Sequence, residues 1–156
     1  LVRKAVALLE ILVNKQVQQT TQEKQANTSS TSQTLFNLKL LAYERIILFI
    51  ERIKPDSFIP RTLSPSLPYQ EYQLLLINEI RKEFEYNLSQ QLYLSENAWE
   101  VTVNFKDNII TLINSAATSC PPQATASDLA RKILEHYISS DLKGDQISKI
   151  VKAEIQ

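Results

Sequence analysis

The sequence predicts an all-α protein: an antiparallel helical bundle with long helices and an N-terminal helix on a polar linker. One glycine, Gly144, occurs among the 156 residues, whereas tight β-hairpins and phosphate-binding loops need glycine where the backbone adopts φ > 0. The chain is rich in Leu, Ile, Gln, Glu and Lys, most of which favour helices. Apolar residues also recur at helical spacing in most segments. The length suits one domain of ordinary size with a single core.

Composition and charge exclude some classes of function. Lys and Arg total 17, as do Asp and Glu, so the chain has no overall attraction to nucleic acid or to an anionic membrane. The basic residues are scattered and do not form the basic stripe with interleaved aromatic residues that is typical of nucleic-acid-binding proteins. We therefore expect no nucleic-acid partner. The lone Cys120 cannot form an intrachain disulfide, and we interpret it as a loop thiol without a chemical role.

The first 16 residues predict an amphipathic helix. Residues 1–16 are apolar around most of a helical wheel, and Arg3 and Glu10 belong to the polar stripe. A membrane-spanning helix needs about 20 consecutive apolar residues, and charged side chains interrupt this run. We therefore predict neither a transmembrane helix nor a signal peptide. Because the chain begins with Leu1 instead of Met, we interpret it as a fragment or as a chain whose start is missing.

A polar linker is predicted over residues 17–34. This segment is dominated by Gln, Thr and Ser, and its run "NTSSTS" has no apolar side chain to bury. Its first half can continue the N-terminal helix. We place the main domain boundary in this segment and assign residues 35–156 to a helical domain.

The first part of the helical domain predicts two long helices. Residues 35–53 are apolar around most of their circumference, which is typical of a central helix surrounded by other elements. Four prolines between positions 55 and 68 predict that the next segment is an extended connector. A second helix is expected over residues 69–92.

Residues 98–114 fit two assignments. At a spacing of two residues, which predicts a β-hairpin, the apolar positions are Trp99, Val101, Val103 and Phe105. At helical spacing, which predicts a helix over 95–116 with Ser95 as its N-cap, the inward positions are Ala98, Thr102, Phe105, Ile109, Leu112 and Ala116. The β-branched residues favour a strand, whereas an isolated hairpin is only marginally stable. These residues alone leave both assignments open.

Two shorter helices are predicted at the C-terminal end. Thr125 or Ser127 is the expected N-cap of a helix that ends near Ser139. Gly144 breaks the chain, and Asp145 begins a short final helix. The apolar positions of this final helix are Ile147, Ile150 and Val151.

Four charged residues on the helix over 35–53 form the first candidate site. Glu44 and Glu51 fall on one line of this helix, and Arg45 and Arg52 fall on a neighbouring line. We expect these charges to bridge to a neighbouring helix or subunit and to set its register, as charges do in coiled coils. The alternative is an enzyme of unknown type that uses the same four residues.

A second candidate site lies in the run "NLSQQLYLSENAW". In this interpretation Trp99 is the aromatic anchor of a docking surface, and the amides of Asn87, Gln90 and Gln91 form an adaptable hydrogen-bonding rim. The alternative is that these residues are the polar end of two helices and the turn between them.

The sequence offers little for catalysis or metal binding. Di-iron bundles need Glu-x-x-His motifs on two helices, and here the single histidine, His136, directly follows Glu135. No nucleophile, base and orienting group stand in a recognisable arrangement. We therefore expect no metal, no cofactor and no enzyme activity, and we interpret the chain as a protein–protein interaction or scaffold module.

Three runs carry a resemblance to a known family: "LAYERIILFIERIKP", "EIRKEFEYNLSQQLYLSENAWEVTVNFKDNIITLIN" and "SDLARKILEHY". Over residues 35 to about 140 the chain resembles an uncharacterised family of small helical proteins from Bacteroidota, whose members typically carry an N-terminal membrane anchor. The resemblance implies that residues 98–114 are helical, and it implies no activity. Residues 1–16 are shorter and more charged than such an anchor.

The apolar surface predicts that the chain associates with a second copy or with another protein. Residues 1–16 carry more apolar surface than a solvent-exposed helix usually retains, and the helix over 35–53 needs neighbours on most sides. We therefore expect a protein partner or a homodimer built with one or both of these segments. We expect a cytoplasmic location, with association at the inner face of the membrane through the N-terminal region as the alternative.

Overall fold

The computed structural model describes residues 2–142, 149 and 152–154 and confirms the predicted all-α class. The described residues form no strand, and an isolated bridge joins Pro68 and Thr125. The elements in chain order are α1 (Val2–Ile53), α2 (Pro55–Thr62), α3 (Tyr69–Tyr86), a 3-10 helix (Leu88–Tyr93), α4 (Glu96–Thr118) and α5 (Ala126–Ser139).

The chain divides into two compact units, unit 1 over residues 1–38 and unit 2 over residues 39–156. In unit 1, every residue from 3 to 38 is helical and exposed. Unit 2 contains a hydrophobic core to which the end of α1 and helices α2 to α5 all contribute. The largest fully buried side chains of this core are Phe49, Ile46, Ile50, Ile53, Tyr72, Leu76, Ile80, Phe105, Ile109, Ile113, Leu129 and Ile133.

Residues 17–34, predicted as a polar linker whose first half could continue the N-terminal helix, are helical throughout as part of α1. Its threonine hydroxyls donate to the carbonyl oxygen four residues earlier, at distances such as 2.9 Å from Thr20 and 2.8 Å from Thr28. These bonds satisfy the hydroxyls without breaking the backbone pattern. Glutamine, which is frequent here, is also a good helix former. Polar composition therefore predicted exposure correctly but not the loss of helix.

The helix over 35–53 is the last part of α1, and it is not surrounded on all sides. Ala42, Ile46 and Ile50 are at most 1% exposed, whereas Leu41 and Leu48 on another face are 44% and 57% exposed. The segment buries one face, as an amphipathic helix at the edge of a core does.

The proline-rich segment after α1 was expected to be extended, but residues 55–62 form α2. Pro55 occupies the first turn, where its missing N–H and fixed φ are compatible with a helix. Pro60 removes one hydrogen bond inside α2, and burial of Phe58 and Ile59, which are 2% and 4% exposed, offsets that loss. The connector is therefore limited to residues 63–68.

The helix predicted over 69–92 ends six residues early. α3 stops at Tyr86, and residues 88–93 continue as a 3-10 helix. The Asn87 side chain donates to the Glu83 carbonyl oxygen at 2.8 Å, which satisfies a carbonyl group near the end of α3. Gln90 is then buried at 7% exposure, so the tighter turn is held by tertiary packing.

The helical assignment of residues 98–114 is confirmed. Ser95 is the N-cap of α4, and its Oγ accepts from the Ala98 N–H at 3.0 Å. The six inward positions of the helical pattern are all buried: Ala98, Thr102, Phe105, Ile109, Leu112 and Ala116. The spacing of 3.6 residues therefore outweighs the β-branched composition.

Thr125 is the residue that caps α5, one of the two that the sequence offered. The Asp128 carboxylate accepts from the Thr125 N–H at 3.0 Å and from its hydroxyl at 3.2 Å. The predicted start of the final helix at Asp145 and its apolar positions, Ile147, Ile150 and Val151, lie outside the described residues.

None of the helices in the described part of the chain is both long enough and apolar enough to span a bilayer.

Candidate functional site

An open groove of about 590 Å³ lies in unit 2, between the last turns of α1 and the end of α3. Its described lining combines positive charge with apolar surface. The residues that line it are Arg45, Leu48, Phe49, Arg52, Lys82, Glu83, Tyr86 and Asn87.

The α1 side of the groove follows from helical spacing. Arg45, Leu48 and Arg52 are separated by three and four residues, so they share one face of α1. Leu48 is 57% exposed, whereas Phe49 is 2% exposed and belongs to the core below. This side therefore presents a leucine between two guanidinium groups.

The α3 side is built in the same way. Lys82 and Tyr86 are four residues apart on α3, and both are exposed, Tyr86 at 81%. Asn87 closes the groove at the end of α3, where its side chain is held by the Glu83 carbonyl oxygen. An aromatic ring, a lysine and an amide therefore face the groove from this helix.

The Glu83 carboxylate of α3 contacts an arginine of α1 and an arginine of α2. Its Oε1 accepts from Arg52 Nη2 at 2.7 Å and Arg52 Nε at 3.1 Å, and Arg61 Nη1 lies 3.5 Å away. Arg61 also donates from Nη2 to the Arg52 carbonyl oxygen at 2.8 Å, near the end of α1. The hydrogen bonds that Arg52 donates to Glu83, together with the charge of Glu83, raise the pKa of Arg52.

The remaining charge of the groove is positive. Glu83 is the lone carboxylate in the described lining, and two guanidinium groups already contact it. Arg45 and Lys82 have no ion pair among the residues that the structure describes. The second carboxylate oxygen of Glu83 is buried and has no hydrogen-bond partner there either. The groove therefore suits a ligand with negative charge at its edges.

The structure separates the four charged residues of the first candidate site. Arg45 and Arg52 line the groove, whereas Glu44 is exposed outside its lining. Glu51 accepts from the nearly buried Lys54 at 2.7 Å. The two arginines and the two glutamates therefore have different surroundings.

The second candidate site is also divided. The Trp99 ring stacks on Phe84, with centroids 5.4 Å apart and an interplanar angle of 25°, and the Lys106 ammonium lies 4.1 Å above the Phe84 ring. Trp99 is thus half-buried against the core of unit 2. Gln90 is buried and Gln91 is exposed, and of the three amides Asn87 lines the groove.

Sequence reasoning missed Lys82 and Tyr86. Their spacing of four residues on a predicted helix was the available signal, because it places a cation and an aromatic ring on one face. No group of three or more His, Cys, Asp or Glu residues within the described ranges could hold a metal ion.

No curated protein and no solved structure matches the chain. One family model matches residues 2–156, and its description is "Family of unknown function (DUF7935)". This match is longer than the resemblance, which covers residues 35 to about 140. The chain therefore belongs to this uncharacterised family, DUF7935.

Proposed function

We propose that this protein is an interaction module whose groove between α1 and α3 binds an acidic segment of a partner protein that carries a large apolar side chain. The observation that carries the proposal is the lining itself: Arg45 and Lys82, which have no ion pair among the described residues, flank the exposed side chains of Leu48 and Tyr86. Grooves between two helices commonly receive a third amphipathic helix in this way.

Each part of the lining has its own effect on binding. Burial of the exposed part of Leu48 contributes about 1 kcal/mol at about 25 cal/mol per Å². Tyr86 adds aromatic surface, which is enriched at interface hot spots. Arg45 and Lys82, at the open edge, act mainly on the association rate and on discrimination between partners, and their effect weakens with salt.

Binding is favoured over the enzyme alternative by the chemistry of the lining. Glu44 and Glu51 are not part of it, and Glu83, the carboxylate that is, already accepts from Arg52 and lies near Arg61. A general base needs a free lone pair within reach of a substrate proton. The described lining offers charge and shape for recognition, and the carboxylate oxygen of Glu83 that accepts no hydrogen bond from the described residues is buried, away from a substrate proton.

The test uses a fluorescein-labelled 15-residue helical peptide with leucine at positions i, i+4 and i+7 and glutamate on both sides of that stripe. Fluorescence polarisation measures its binding to the full chain. We expect saturable binding that weakens as salt rises, and no binding of a matched peptide with lysine in place of glutamate. Failure of the acidic peptide to bind the wild-type chain contradicts the proposal.

Paired variants on α3 localise the binding. Lys82→Glu reverses a charge in the groove, and Arg81→Glu reverses the neighbouring exposed charge outside the lining. We expect Lys82→Glu to raise the Kd at least tenfold and Arg81→Glu to change it less than threefold. Equal effects of both variants would show that the peptide binds through general charge and not in the groove.

A further inference from the structure

One face of α1 within unit 1 is continuous from end to end. At 100° per residue, ten side chains between positions 6 and 38 lie within about 40° of the direction of Lys24. All of them are exposed. We call them the valine–threonine face: Val6, Glu10, Val13, Val17, Thr20, Lys24, Thr28, Thr31, Leu35 and Leu38.

The threonines of this face behave as apolar residues. The hydroxyls of Thr20, Thr28 and Thr31 donate to the carbonyl oxygens of Gln16, Lys24 and Asn27 at 2.9, 2.8 and 2.8 Å. A hydroxyl that is satisfied by its own helix needs no other partner, so the threonine methyl groups can pack. The polar middle of α1 therefore connects two apolar ends into one packing surface.

This surface exposes apolar side chains to water at both of its ends. Val13 and Val17 are 56% and 59% exposed, and Leu35 is 46% exposed. Helices in water draw most of their stability from the packing of such a face, and single helices are marginal. We therefore expect a second helix to pack on this face.

The two charges on the face decide which helix fits. Glu10 and Lys24 lie 14 residues apart, about 21 Å along the axis at 1.5 Å per residue. In a parallel, in-register pair of α1 helices, Glu10 would meet Glu10 and Lys24 would meet Lys24. In an antiparallel pair centred on Val17, each Glu10 meets the Lys24 of the other copy. Like charges across an interface disfavour the first arrangement.

We propose that α1 packs antiparallel against α1 of a second copy through the valine–threonine face, with the two-fold axis at Val17. The interface is isologous, because each contact occurs twice. In this register Val6 faces Thr28 and residues 3–31 overlap, a length of about 44 Å. Leu35 and Leu38 lie beyond this overlap. Glu10 and Lys24 act as the polar pair that selects direction and register.

Charge exchange on the full chain tests the direction of the pair. Sedimentation velocity measures the dimer of the wild type, Glu10→Lys, Lys24→Glu and the double exchange. We expect each single variant to raise the dissociation constant at least tenfold and the double exchange to restore it within threefold. Lys15→Glu is the matched control, because position 15 lies opposite Lys24 on the helix and should change little. A parallel dimer would respond weakly to every one of these changes.

Cysteine pairing tests the register independently. Val6→Cys and Thr28→Cys are made separately in a Cys120→Ser background and oxidised alone or as a mixture. We expect disulfide-linked dimers in the mixture alone, because equal positions lie about 33 Å apart in the antiparallel pair. Cross-linking of either variant alone overturns the antiparallel arrangement. A wild-type chain that stays monomeric at tens of micromolar contradicts the proposed interface. Circular dichroism of each variant serves as the control that the substitution preserves the helix.

Discussion

Replacement of Trp99 by alanine separates a structural role from a docking role. The ring stacks on Phe84 at 5.4 Å and packs against the core of unit 2 while remaining half-buried. A fully buried Trp→Ala substitution costs about 3–5 kcal/mol, so a half-buried ring costs about 2 kcal/mol. The aromatic pair adds about 0.5–1.5 kcal/mol. We expect Trp99→Ala to lower the free energy of unfolding by about 2.5–3.5 kcal/mol.

Urea denaturation followed by circular dichroism measures this loss, because the variant removes the one tryptophan of the chain. Tyr86→Ala is the control for an aromatic residue that is 81% exposed, and it should change the free energy of unfolding by less than about 0.5 kcal/mol. A loss below about 0.5 kcal/mol for Trp99→Ala, with an unchanged urea slope, would refute the assignment of this ring to the core.

Three further predictions concern α4, α5 and the turn between them. Ile109→Ala removes a fully buried side chain of α4 and should lower the free energy of unfolding by about 2–5 kcal/mol in the same denaturation assay. The hydrogen bonds from Thr125 lower the pKa of Asp128 in the folded protein. They therefore stabilise the fold at a pH above the ordinary aspartate pKa, and this stabilisation is lost as the pH falls through the lowered pKa of the folded state. The melting temperature of wild type should therefore fall more steeply than that of Asp128→Asn between about pH 5 and pH 3, and identical slopes would contradict this. Burial raises the pKa of the Cys120 thiol, so iodoacetamide at pH 8 should modify the folded chain much more slowly than the urea-unfolded chain, as mass spectrometry would show.

Residues that act within a few positions of each other were predictable from the sequence. The buried face of α4 follows from the helical spacing of its apolar residues. Its cap is a local contact, in which the Ser95 hydroxyl oxygen accepts from the Ala98 N–H. The cap of α5 at Thr125 is equally local, because the Asp128 that contacts it is three residues away. These interactions exist within a segment before any tertiary contact forms.

Prediction failed where packing outweighed local preference, and also where a polar composition proved compatible with an exposed helix. Four prolines indicated an extended connector, and burial of Phe58 and Ile59 made its first part helical. The polar run over 17–34 indicated a linker, because its run "NTSSTS" has no apolar side chain to bury, and its threonine hydroxyls are nevertheless bonded within the helix.

The sequence by itself determined the helical class and narrowed the caps and the buried stripes to a few alternatives, since each depends on residues three or four positions apart. Only the tertiary structure decided the groove, because Arg52 and Glu83 are 31 residues apart and meet through the packing of α1 on α3. In the same packing arrangement, the Trp99 ring stacks on Phe84 and Tyr86 lines the groove. A periodic pattern states which face of a helix is buried, but the neighbour that covers it depends on the shapes of side chains far apart in the chain.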